Sequence, residues 1–238
     1  MREAAGLGET DAFAASEAPT HRPYEEIVAI SRSGTTTEVV RALSQARGAR
    51  RIALVGVEGS PVAQEAEVVV SLAFADERSV VQTRFATSVL ALGRAWLGED
   101  LEPVAAAAED AIAAPLPVEP AEHDHFVSLG VGWTVGLADE AALKLREAAR
   151  AWTESYPAME LRHGPISVLG TRSLVWALGP VDLSVLDDAR RTGATVVGGE
   201  LDPMVELVRI QRTAVALAQA RGLDPDRPRY LTRSVVLS

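Results

Sequence analysis

Glu26-Ile-Val-Ala-Ile-Ser-Arg-Ser-Gly-Thr-Thr-Thr-Glu-Val-Val40 decides the fold. The apolar run 26–30 reads as a buried parallel strand. Val39, Val40 and Leu43 then follow at helical spacing. A strand therefore enters a short loop of hydroxyls and one glycine, and the loop opens a helix. Such a turn suits a phosphate, because N–H groups at a helix start point at the anion and the helix dipole favours negative charge. Ser31, Ser33, Thr35 and Thr36 supply hydroxyls, Gly34 allows close backbone approach, and Arg32 offers a charged donor. A capping box, Thr35-x-x-Glu38, is the competing reading, and it leaves the two serines and the glycine unexplained.

The same alternation continues outward. Strands are expected at 26–30, 51–56, 67–72, 125–130, 173–178 and 194–198, and helices at 35–47, 79–97, 133–150, 183–191 and 203–220. This is the pattern of parallel βα units in an α/β protein. Segment 98–124 differs: it starts acidic, runs through Ala105–Ala108 and ends Pro115-Leu-Pro-Val-Glu-Pro120. It reads as a connecting helix and a stiff linker, dividing the chain into 1–120 and 121–238.

Composition narrows the function. The 238 residues are 47% hydrophobic, enough for a substantial core. No cysteine is present, which excludes disulfides, thiolate metal sites and a cysteine nucleophile. The net charge of −10 argues against nucleic acid as a partner but permits a small anion in a local field. No apolar run approaches membrane-spanning length and no signal peptide opens the chain, so a cytoplasmic protein is expected.

Four segments together resemble the SIS (sugar isomerase) domain proteins, especially the tandem-SIS isomerase half of glucosamine-6-phosphate synthase and bacterial phosphosugar isomerases and deaminases. They are Ser31–Thr36, Glu77–Arg84, Glu140–Glu147 with Glu160–Pro165, and Asp224–Val235. The resemblance implies two three-layer αβα domains with mainly parallel sheets. It also implies that a sugar phosphate is held by Ser31, Arg32, Ser33 and Thr36. Glu147 would shuttle a proton between C1 and C2, and His163 would open the sugar ring, reaching into the partner subunit's site of a homodimer. Glu140 and Lys144 would line or support the site, with the C-terminal tail closing over the ligand. No metal or organic cofactor is implied. A non-catalytic phosphosugar sensor is the alternative.

Independently of the resemblance, Glu140, Lys144 and Glu147 share one helix face by spacing. A solvated surface ion pair explains that spacing equally well. Three departures from the family pattern stand out. The opening strand of the first domain and its Gly-x-Gly-Thr-Ser-type loop are not found, and residues 1–8 read as the end of the helix that should follow. Arg233 stands where the synthase has its Schiff-base lysine; a guanidinium cannot form that bond, but it can still bind a substrate oxygen or phosphate. After Val175–Leu178, the second half carries Asp182 and no hydroxyl until Ser184, so one phosphate site per chain is expected, in the first half. Gly130-Val-Gly132 reads as close strand–helix packing, and His123-Asp-His125 as a solvated linker.

Overall fold

The computed structural model describes residues 1–46 and 48–237. Residue 47, the last of the helix expected at 35–47, lies outside them. Packing divides the chain into two compact units. One comprises Met1–Glu99 with the tail from Tyr230 onward, the other Asp100–Arg229.

The first unit holds a parallel sheet in the order β1 (Glu26–Ser31), β2 (Arg50–Val55), β3 (Val68–Ser71). Helices α1 (Thr37–Gln45) and α2 (Pro61–Gln64) cover one face. Ala53 and Val55 from the sheet pack there with Leu43, Val62 and Ala63. Register puts Val28, Ile52 and Val68 side by side on the opposite face, with Ile30, Leu54 and Val70 beside them. At the β1 end of that face Val28 is 44% and Ile30 54% exposed. β1 is the sheet's edge, and residues 1–25 contain no strand.

Helix α3 spans Arg84–Trp96, starting later than the expected 79. Its start is set by Glu77, whose carboxylate turns back and accepts from the N–H groups of Thr83, Arg84 and Phe85 at 3.1–3.3 Å. A side chain outside the helix thereby satisfies its first donors, which spacing alone does not signal.

The second unit contains a four-stranded parallel sheet in the order β5 (Trp152–Pro157), β4 (His125–Gly130), β6 (Ser173–Leu178), β7 (Thr195–Gly198). Its faces alternate as strand geometry requires. Val127, Leu129, Val175 and Ala177 pack against Val185, Leu186 and Ala189 of α6 (Leu183–Arg191) and against Ala158 and Leu161. The other face carries α5 (Val135–Ala149) and α7 (Pro203–Ala220), where Trp176 Nε1 donates to Glu206 Oε2 at 2.9 Å. Helices thus cover both faces of a parallel sheet, the expected α/β class.

Helix α4 (Glu102–Ala113), read from sequence as a connector to the first half, packs on α7. Arg212 of α7 holds its C-terminal carbonyls, donating to Ala111 O and Ala114 O at 2.7 Å each. Strand β5 is missing from the sequence reading. Its residues Trp-Thr-Glu-Ser-Tyr-Pro sit at the sheet edge, where no continuous apolar run is required. The four-residue α2 is missed as well, although Ser60-Pro61 is a helix-start signal.

His123 and His125 are not a solvated linker. His123 is buried against Phe126, and His125 lies on β4 with Nε2 2.8 Å from Glu154 and Nδ1 3.1 Å from Ser173. Gly130 is a point of close packing, since a Cβ there would lie 2.3 Å from the Thr134 carbonyl oxygen.

Candidate functional site

The loop between β1 and α1 is a compact hydroxyl cradle. Ser31 Oγ accepts the Gly34 N–H at 3.2 Å, and Ser33 Oγ accepts the Thr35 N–H at 3.3 Å. Gly34 has φ +65°, a left-handed conformation that favours glycine. Thr36 is the N-cap residue of α1, and no side chain makes a cap bond. The capping box is therefore not formed: the Thr35 hydroxyl lies instead 3.1 Å from Ser33 Oγ and 2.8 Å from Ser234 Oγ.

Arg32 occupies a different place from the loop's hydroxyls. It is 2% exposed, and Nη1 donates to Ser79 O at 2.6 Å and Nη2 to Val80 O at 3.4 Å. The side chain expected on the phosphate holds the carbonyls of Ser79 and Val80, ahead of α3. Its backbone carbonyl accepts from Gly56 N–H at 3.0 Å, tying the loops after β1 and β2 together.

The C-terminal tail lies on this loop. Val235 O accepts the Thr37 N–H at 3.1 Å, and the Leu237 N–H donates to Thr37 Oγ1 at 2.9 Å. Arg233 pairs with Asp76 and donates to Glu77 O at 2.8 Å. A backbone carbonyl thus takes one of the α1 N-terminal donors, and Arg233 anchors the tail at the segment that caps α3.

In the second unit, α5 brings Glu140, Lys144 and Glu147 together. Lys144 Nζ stands 2.6 Å from Glu147 Oε2 and 3.5 Å from Glu140 Oε1. The lysine side chain is 4% exposed, whereas the two carboxylates keep 23% and 21%. This is a sunken ammonium under two reachable carboxylates, not a solvated surface pair. His163 ends a 3-10 turn over Ala158–His163, is exposed, and makes no hydrogen bond to the three. Where the first unit has its hydroxyl loop, the β6–α6 turn has Asp182, whose carboxylate accepts from Ser184 N–H at 2.8 Å and from its hydroxyl at 2.6 Å. That helix start is filled by the chain's own anion.

Among the described residues no three His, Asp or Glu side chains are grouped to hold a metal ion. No described helix is long and apolar enough to cross a membrane.

No family model matches the chain. Known proteins do. The glutamine–fructose-6-phosphate aminotransferase (isomerizing) of Symbiobacterium thermophilum is 31% identical over 264 residues, covering 88% of this chain and 43% of that protein. The Bradyrhizobium diazoefficiens aminotransferase is 30% identical, covering 94% and 46%. Among solved structures, glucosamine-6-phosphate deaminase of Thermotoga maritima superimposes with a TM-score of 0.80 at 26% identity, covering 94% of this chain and 80% of that one. The chain is a homologue of the isomerase half of these aminotransferases and of phosphosugar isomerases and deaminases. It spans less than half the length of the aminotransferases. Tagatose-6-phosphate ketose/aldose isomerase of Escherichia coli, at 21% identity and a TM-score of 0.74, has the same fold.

Proposed function

We propose that this chain is a phosphosugar aldose–ketose isomerase or deaminase acting on a hexose or hexosamine 6-phosphate. The observation that carries the reading is Lys144, sunk between two carboxylates on the helix that follows β4. The relatives' printed activities point the same way.

Ser31, Ser33 and Thr36 hold the phosphate in the β1–α1 loop. Arg32 supports them by holding the carbonyls of Ser79 and Val80. Glu147 takes the C2 proton of the open-chain aldose as the C1 carbonyl oxygen gains one, then returns a proton to C1 of the enediol as the C2 hydroxyl gives up its own, leaving the C2 ketone. With a 2-amino sugar the same transfer yields a 2-imine, which water converts to the ketose with release of ammonia. Lys144 and Glu140 hold Glu147 in place. His163 opens the sugar ring, and the tail anchored by Arg233 covers the ligand.

We further propose that both compact units are SIS-type domains, that the protein is a cytoplasmic homodimer with shared sites, and that the outer edge of β1 takes a further strand. The exposed Val28 and Ile30 beside that edge support the last point. Fusing a strand and a Gly-x-Gly-Thr-Ser-type loop ahead of residue 1 should raise the melting temperature and tighten phosphosugar binding.

The decisive experiment follows exchange of the C2 proton with solvent for glucosamine 6-phosphate, fructose 6-phosphate and related hexose phosphates. Glu147→Gln should abolish exchange while binding persists. Binding without exchange in the parent protein would identify a sensor. Unchanged exchange in Glu147→Gln would remove Glu147 from the chemistry.

A further inference from the structure

Against the bend of the phosphate loop lies a buried hydroxyl without a hydrogen-bond partner. Ser60 precedes α2, is 5% exposed, and its Oγ has no hydrogen-bond partner. It stands at the N-cap of α2 yet makes no cap bond. Its place is defined by Gly34: a Cβ built there would lie 1.9 Å from Ser60 Oγ and 2.4 Å from Ser60 Cβ. The hydroxyl is pressed against the bend of the loop. The two segments are also joined by the backbone, since Val62 N–H donates to Gly34 O at 2.9 Å.

The neighbouring groups are engaged elsewhere. Ser31 and Ser33 accept from loop N–H groups, Thr35 faces Ser33 and Ser234, and Thr37 serves the tail. A buried hydroxyl without a partner is a net cost, and native proteins rarely keep one without a reason. The reason that fits this position is a ligand that arrives with its own acceptors.

We propose that Ser60 belongs to the anion site and that its hydroxyl donates to a phosphate oxygen bound in the Ser31–Thr36 loop, directly or through one ordered water. The ligand class is a phosphate monoester, and the inference rests on the phosphate-loop reading given above. A second loop, after β2, thereby contributes to a site that the sequence pattern confines to the loop after β1.

Stability and affinity should move in opposite senses in Ser60→Ala. Without ligand its melting temperature should equal or exceed that of the parent, because a buried unpaired donor is gone. Its affinity for glucosamine 6-phosphate and for inorganic phosphate, measured by calorimetry, should fall about tenfold or more, as for one lost hydrogen bond to a charged group. The near-isosteric Ser60→Cys should weaken both probes too. If Ser60→Ala binds normally while Ser33→Ala is weakened, Ser60 is outside the site and the loop reading stands. If neither substitution alters binding, or the parent binds neither probe, both are overturned. A lowered melting temperature with unchanged affinity would assign the hydroxyl to an internal water and overturn the proposal.

Discussion

Lys144 and Glu147, three residues apart on α5, form the tightest ion pair of the α5 cluster, with Nζ 2.6 Å from Oε2. Helical spacing permits such a pair on any surface, where it contributes little. Here the ammonium is nearly sealed while the carboxylate keeps a fifth of its exposure. The arrangement fixes one carboxylate oxygen and leaves the group accessible.

Removing that ammonium should therefore hurt. Lys144→Met leaves Glu140 and Glu147 without their shared counter-charge. We expect a loss of about 1–3 kcal/mol in urea unfolding, below the value for a fully buried pair because the carboxylates are partly solvated. A change too small to measure would mean the lysine is solvated in solution.

Gly34→Ala tests the loop. It forces a side chain into a left-handed φ and onto Ser60. The φ penalty alone is about 1–2 kcal/mol, and the overlap adds to it. Phosphosugar binding should be lost as well. Adding Ser60→Gly should restore the part of the stability due to overlap and no more. Full recovery in the double variant would show that φ at residue 34 is unconstrained.

Glu206 is wholly buried and held by Trp176 Nε1 and by Arg209, whose Nη1 is 3.0 Å from Oε2. Arg209→Ala strands that carboxylate and should cost about 3–5 kcal/mol. Pairing it with Glu206→Gln, which still accepts from Trp176, should return most of the loss. Equal destabilisation in single and double variants would rule out charge as the cause.

Asp182 predicts an acid-side effect. Hydrogen bonds from the Ser184 hydroxyl and then its N–H hold the carboxyl below the ordinary carboxylate range. A depressed folded value adds stability that is present above the unfolded value of about 3.9 and lost as pH falls through the folded one. Asp182→Asn keeps an acceptor without the charge. Its melting temperature should fall less steeply than the parent's below about pH 4. Parallel curves would show that the cap does not titrate with folding.

Much of this protein is set locally, and so was legible in one sequence. Buried parallel strands need continuous apolar runs, which exposes β2, β4 and β6 to reading, and β1 carries such a run although Val28 and Ile30 are exposed in the fold. The Ser31–Thr36 turn and the Glu140/Lys144/Glu147 face are likewise short-range patterns. Strand β5 carries no such run, because every one of its residues is exposed or only half-buried. What distant parts of the chain do to one another left no local trace. Arg32 reads from its loop as a phosphate ligand, and only the fold shows that its guanidinium also donates to the carbonyls of Ser79 and Val80. Glu77 moves the start of α3, and α4 docks on α7 through Arg212. Ser60 gains meaning only from the bend at Gly34 packed against it. Sequence determined the elements and the chemical groups they carry. Tertiary structure decided which groups are buried, paired or left waiting, because burial and hydrogen bonding depend on neighbours tens of residues away in the chain.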